Sequence, residues 1–269
     1  MKHVEPAIYL LAKSQVNRQE AHRWIDDLGA PEYDLPEHCT DPELLTMLAG
    51  KRCYMSFEPG LNPNVTRVRK DMVAFIDNIL KSRHGSVLEH STYTFAIENV
   101  SRVFTGEMNR HRAGWAVSEG SMRFIRFADI PFWMPLSIRE ADDDTPELGK
   151  AKARTRAVFE RAFRQMEENY CELEEIWQLD SLKAFKKKKK ITSMMRRIIG
   201  MGVATGGVWT GNLRAIRHVL AVRVVAAAEE EIAYVFSLVL KRLIDEEPTI
   251  FGDFEQTEDG FWEPTYWKV

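Results

Sequence analysis

Apolar residues change their spacing abruptly at one point in this chain, and that change decides its class. Val68, Met72, Phe75, Ile76 and Ile79 recur three or four apart, the stripe of an amphipathic helix, until "RHGS" (Arg83 to Ser86) breaks the pattern. From Thr92 to Glu98, "TYTFAIE" alternates and is rich in aromatic and β-branched residues, which predicts a strand. This strand is expected to lead into a short helix running through Arg110. Two periods side by side require a sheet with helices packed on it. The expected class is therefore α+β: a helix-rich single domain over residues 1–269 with a central, mostly antiparallel sheet.

Other segments extend that reading. A buried strand is expected at Ile8 to Lys13, followed by an amphipathic helix over "NRQEAHRWIDDLG" that Gly29 stops. In "DPELLTMLAGKRCY", Asp41 is expected to cap a helix with Pro42 in its first turn and Leu44, Leu45 and Leu48 on one face. "SMRFIRFADIPFWMP" reads as a further strand. Phe159, Phe163, Met166, Tyr170, Leu173 and Trp177 form a sustained helical seam, so the longest helix is placed between Thr145 and Leu179. Two more helices are expected after the lysine run, and the tail from Asp253 shows no clear period. The glycines of "GMGVATGG" lack both a preceding strand signal and the Lys-Ser/Thr ending of a phosphate loop, so they are expected to permit close helix packing.

Composition narrows the ligands. A net charge of −3 gives no general attraction for nucleic acid, so an anion site must be a local cluster. The run Lys186 to Lys190 is read as a solvated helix end or loop. No apolar stretch approaches the ~18 residues of a membrane span. Cys39, Cys53 and Cys171 are odd in number and lack CxxC spacing, which argues against a disulfide framework and a zinc site and for a reducing, cytoplasmic setting.

Three groups of side chains carry chemistry. Arg110, His111 and Arg112 are consecutive and are expected to project in different directions, so several anionic or carbonyl groups would satisfy them where one acid would not; a surface salt-bridge patch would account for them equally. Ser121 and Arg123 are two apart in a predicted strand and would share a face, where a guanidinium beside a hydroxyl suits a phosphate or a pyrimidine carbonyl. His84, Ser86 and Glu89 lie between a helix end and a strand start, as ligands or as caps. Further on, Arg214 and His218 share a helix face, while Arg223 points roughly 180° away from Arg214. If both arginines bind ligand, a site shared between subunits is favoured.

Taken together, these segments resemble the flavin-dependent thymidylate synthases. That family's signature is Arg-His-Arg, seven or eight residues, then serine; here Arg110-His111-Arg112 precedes Ser121 by eight residues, with Arg123 two beyond. "HGSVLEH", "CYMSF" and "NLRAIRHVLAVR" fall in the family's order, and the match runs roughly from Leu44 to Ile232. The resemblance implies a homotetramer that binds FAD and dUMP at subunit interfaces, with methylenetetrahydrofolate as carbon donor and NADPH as reductant, and with neither nucleic acid, membrane nor metal. Carried over by position, Ser56, His84, Ser86, Glu89, Arg110, His111, Arg112, Glu119, Asn212, Arg214 and His218 would line the flavin. Glu107, Arg110, Glu119, Ser121, Arg123, Arg196 and Arg223 would hold dUMP, with Arg223 and Ser121 catalytic and Arg223 favouring the ionised uracil N3. Glu107 (where glutamine is usual), Gly120, Phe124, Gly200 and His218 depart from the family pattern. Such departures fit a subfamily or a related flavin enzyme that transfers a one-carbon group, such as hydroxymethyl, to another pyrimidine nucleotide. They also fit a homologue that binds nucleotide and flavin without turnover.

Overall fold

The computed structural model describes residues 1–127, 129–142 and 144–269. Its elements run β1 (Lys2–His3), β2 (Ala7–Lys13), α1 (Arg18–Asp27), α2 (Asp41–Tyr54), α3 (Met72–Lys81), a 3-10 segment (Gly85–His90), β3 (Thr92–Ser101), α4 (Arg102–Met108), β4 (Trp115–Glu119) and β5 (Pro131–Phe132). There follow α5 (Pro146–Ile176), α6 (Phe185–Met195), β6 (Ala204–Asn212), α7 (Leu213–Arg223), α8 (Glu230–Glu246), α9 (Pro248–Phe251), β7 (Phe254–Gln256) and β8 (Trp262–Pro264). The class is α+β, as expected. The main sheet has the order β2-β3-β6-β4 with every pairing antiparallel, and β1 and β5 make a small parallel pair.

Strand β3 shows why one face of this sheet is covered. Tyr93, Phe95 and Ile97 point into the core while Thr94, Ala96 and Glu98 point away, the period-2 alternation read from the sequence. Trp209 of β6 joins the inward set, and α8 lays Ile232, Phe236, Val239, Leu240 and Leu243 into the same cluster. At roughly 1.5–3 kcal/mol for each large side chain removed from water, this face dominates the stability of the fold. A second cluster forms where Phe127, Ile130 and Phe132 meet Phe163 and Tyr170 of α5 and Ile191 and Met195 of α6, with the Phe132 and Phe163 rings stacked at 4.4 Å.

Several boundaries differ from the sequence reading. The cap of α2 is Thr40, not Asp41: Glu43 N–H donates to Thr40 Oγ1 at 3.2 Å and Thr40 N–H to Glu43 Oε2 at 2.9 Å, a reciprocal box that starts the helix one residue earlier. That helix is enclosed on most sides, burying Thr46, Met47 and Lys51 while Leu45 stays half-buried. Val68 precedes α3, which begins only after Asp71 caps Ala74 N–H at 2.7 Å. The helix after β3 ends at Met108, so Arg110, His111 and Arg112 occupy the turn beyond it.

The predicted strand over "SMRFIRFADIPFWMP" reduces to Pro131–Phe132; residues 121–127 form a turn and coil, and Ala128 lies outside the described residues. The strand stands earlier, at "WAVSE". The glycines of "GMGVATGG" divide between two roles: Gly202 admits helix α5, where a Cβ would stand 2.8 Å from the Phe163 ring, whereas the last two belong to a strand. Gly206 and Gly207 lie inside β6, and a Cβ on Gly207 would come within 2.5 Å of Ser118 O, so this strand pairs with β4 because the side chain is missing. The long helix α5 falls as expected behind Thr145, although only Phe163 and Tyr170 of its seam are fully buried. The lysine run occupies the first turns of α6, exposed or half-buried. No helix among the described residues is long and apolar enough to cross a membrane.

Candidate functional site

Helix α7 carries one half of the site. Strand β6 ends at Asn212, whose side chain accepts from Ala215 N–H at 2.8 Å, so Arg214 falls in the first helical turn. Its Nη1 donates to Glu89 Oε1 at 2.6 Å and its Nε to Val269 O at 3.1 Å. Gly85 lies beneath, where a Cβ would stand 2.8 Å from Arg214 Nε and 2.3 Å from the Val269 carbonyl carbon. Only glycine admits that approach. Tyr54, His84, Ser86 and Arg214 line a cavity of about 260 Å³. The Tyr54 and His84 rings stack at 5.9 Å, with the phenol oxygen 3.4 Å from His84 Nδ1.

Ser56 is set by a lysine that the sequence did not flag. Lys51 is fully buried; its Nζ donates to Ser56 O at 3.2 Å and Arg69 O at 2.8 Å and lies 5.0 Å from the Tyr33 ring centre. Burial, helped by nearby Lys70, lowers its pKa to about 8.

The other side of α7 gathers the turn after α4. Arg223 Nε donates to His111 Nε2 at 2.9 Å, and its Nη1 pairs with Glu107 Oε2 at 2.9 Å. The other Glu107 oxygen takes Arg110 Nη1 at 3.3 Å. His218 approaches His111 edge-on, ring centres 6.1 Å apart. Burial, then the Arg223 charge and His218, hold the His111 pKa below its ordinary value. A neutral ring that accepts at Nε2 keeps its proton on Nδ1. As the helical spacing predicted, Arg214 and Arg223 reach different partners. Arg112 is exposed.

A second group surrounds the turn that follows β4. Arg102, the first residue of α4, pairs through Nη1 with Glu119, and Asn109 Nδ2 donates to the other Glu119 oxygen at 3.3 Å. Both carboxylate oxygens expected to face ligand are thus already engaged. Burial and then the charge of Arg196 lower the Arg102 pKa. Ser121 and Arg123 do not share a strand face. They share a turn instead, in which Arg123 N–H donates to Ser121 Oγ at 3.4 Å and Thr192 Oγ1 of α6 donates to Arg123 O at 2.6 Å. The expected residues therefore gather mainly in three places: the α7 surface with the 3-10 segment and the turn after α4, the Ser56 loop, and the 119–123 turn. Among the described residues, no side-chain hydrogen bond or ion pair joins Arg112 or Arg196 to any of them.

Four contributions were missed. Tyr54 lies inside the "CYMSF" motif and Lys51 two residues before it, so position beside that motif was their only signal. Arg102 belongs to no motif. Tyr266 to Val269, which line a cavity of about 170 Å³ with Arg214, Arg217 and His218, come from the tail without a period.

The sequence model of the thymidylate synthase complementing protein family matches residues 34–249. The flavin-dependent thymidylate synthase of Mycobacterium avium (strain 104) is 30% identical over 234 residues, 86% of this chain and 86% of the relative. That of Mycobacteroides abscessus is 28% identical over 230 residues, again 86% of each. Among solved structures, the UMP/dUMP methylase PolB from Streptomyces cacaoi, bound with 5-Br UMP, aligns with a TM-score of 0.63 at 16% identity, over 93% of this chain and 94% of that one. That likeness is one of fold. All of the expected site residues lie within the matched range, whereas Tyr266 to Val269 lie beyond it.

Proposed function

The chain belongs to the thymidylate synthase complementing protein family, and from that premise we propose that it converts dUMP to dTMP using FAD, with methylenetetrahydrofolate as carbon donor and NADPH as reductant. The observation that carries this reading is the position of Arg223. A guanidinium stays charged through the working pH range, so it stabilises negative charge on a pyrimidine and raises electron density at C5. His111 holds Arg223 through its Nε without adding a charge, and Glu107 holds it through Nη1. The glutamate that replaces the usual glutamine is itself neutralised by two arginines, Arg110 and Arg223, so it does not confront the nucleotide phosphate as a free carboxylate.

The donor set suits a flavin dinucleotide. His84, Ser86, Arg110, Arg112, Arg214 and His218 offer hydrogen-bond donors on the α7 and 3-10 surface, and a cavity that needs Gly85 bare opens among the first of them. When bound, the flavin supplies the redox chemistry that turns the transferred carbon into a methyl group. Ser121, Arg123 and Arg196 hold the nucleotide on the opposite side. We read residues 1–269 as one domain, working in the cytoplasm with its three cysteines unpaired, and assembled as a homotetramer whose sites draw Arg214 and Arg223 from different chains.

A second reading replaces dUMP by a related pyrimidine nucleotide. It is favoured by His218 and Gly120, which depart from the family pattern, and by a fold neighbour named for both UMP and dUMP. The test is the visible flavin absorption of the purified protein, its bleaching by NADPH, and the product mass from dUMP and from UMP in parallel. A methylated dUMP supports the first reading; a methylated UMP alone, or a hydroxymethyl increment, supports the second; no turnover with either nucleotide contradicts both.

A further inference from the structure

Arg102 grips the 119–123 turn from both sides of Gly120. Its Nη1 pairs with Glu119, its Nη2 donates to Gly120 O at 3.2 Å, and its Nε lies 3.2 Å from Met122 Sδ. One planar fork therefore fixes the residues immediately before and after Ser121. Such a grip matters here because the chain leaves the sheet at this point: Gly120 N–H makes the last bond to β6, on Gly206 O at 2.8 Å.

The base of Arg102 is anchored in the core. Ser101 N–H donates to Glu231 Oε1 at 2.6 Å and its hydroxyl to the other oxygen of that buried carboxylate on α8. Ser101 Oγ in turn accepts from Val103 N–H at 3.0 Å and caps α4. The hydrogen bonds of Ser101 to α8 and those of Arg102 to the turn that carries Ser121 and Arg123 are thus joined through one peptide bond. Charge points the same way: after burial, the Arg196 charge helps lower the Arg102 pKa, so more than one guanidinium acts on this region.

We propose that Arg102 is a positioning residue for the nucleotide: it presets the Glu119–Arg123 turn so that Ser121, Arg123 and Arg196 meet an anionic pyrimidine nucleotide without rearrangement. This rests on the reading of that turn as the nucleotide side of the site. Arg102 acts through Glu119, Gly120 and Met122 and touches no ligand itself. A turn held in advance binds more tightly because less order is lost on binding.

Two measurements on the full-length protein separate the clamp from the reading beneath it. Amide hydrogen exchange over residues 118–124 is followed without ligand, and dUMP and UMP are titrated against wild type, Arg102→Ala and Arg102→Lys. In Arg102→Ala, exchange in this segment is expected to quicken about tenfold or more, and KM for the nucleotide to rise by a similar factor. Flavin content and kcat at saturation are expected to stay within about threefold, since binding geometry and not the reacting groups has changed. Arg102→Lys is expected to fall between, because an ammonium can pair with Glu119 but cannot fork onto Gly120 and Met122. If Arg102→Ala does not fold, the lysine variant carries the test. Unchanged exchange, unchanged nucleotide affinity, or full rescue by lysine overturns the clamp. A wild-type protein that binds neither dUMP nor UMP overturns the nucleotide reading, and the clamp's purpose falls with it.

Discussion

Arg223 and Arg102 look alike in isolation, each a guanidinium 18% exposed and paired with a glutamate, yet their surroundings differ in kind. Arg223 stands on the last turn of α7 beside the carboxylate of Glu107 and the His111 imidazole, with His218 edge-on to that ring. Arg102 grips a carboxylate, a carbonyl and a thioether, with no imidazole among its partners. The first arrangement can respond to a reaction that moves charge, whereas the second can only hold a shape. On the proposed reading, the clamped turn serves nucleotide binding, while α7 serves the flavin through Arg214 and the pyrimidine chemistry through Arg223.

The largest expected effect falls on the α7 side. Arg223→Ala is expected to fold and keep flavin but lose about 10²–10³-fold in turnover, the usual consequence of removing one preorganised charge-stabilising donor. Arg214→Ala is expected to weaken flavin binding about 10–100-fold instead, measured as flavin retained per chain, because its hydrogen bonds are charge-assisted. Mixing the two variants in one oligomer sharpens the comparison. Activity above that of either alone would support sites shared between chains, and no rescue in verified mixed oligomers would assign both arginines to one chain's site.

The smallest effect is a pH dependence. The unfolded chain protonates His111 near its ordinary ~6.5, whereas the folded protein does so only at lower pH. Within that window unfolding takes up a proton, so stability falls as pH drops through it and is flat above it. Besides burial, Arg223, His218 and Arg110 push the His111 pKa down and Glu107 pulls it up. His111→Gln is expected to reduce the slope in thermal melts between about pH 7 and 5, while Arg102→Lys is expected to leave it as in wild type. An equal loss of slope in both would erase the distinction between the two arginines.

How much could be read from the sequence follows the same division. Arg214, His218 and Arg223 stand on a helix whose period is plain, so their relative directions came out right. The turn at 121–125 was misread because "SMRFIRF" alternates like a strand, although Phe124 and Ile125 are exposed and the segment is tied by Thr192 to α6, 69 residues away. Conversely, "WAVSE" shows no clear alternation because it is an edge strand, largely exposed on both faces. Its partner β6 hides behind glycines whose value lies in a neighbour's approach, something local propensity does not encode. Arg102 was illegible for a related reason: its three partners lie 17 to 20 residues on in the chain and meet it only because the sheet folds them back.

The division between the two sides is tested most directly by titrating dUMP into Arg123→Ala while reading flavin content in the same sample. Arg123 lies in the clamped turn, so its loss is expected to weaken dUMP binding by about 1.5–3 kcal/mol, the worth of a hydrogen bond to a charged group, with flavin per chain unchanged. Loss of flavin with dUMP affinity intact would contradict the assignment of the turn to the nucleotide and of α7 to the flavin.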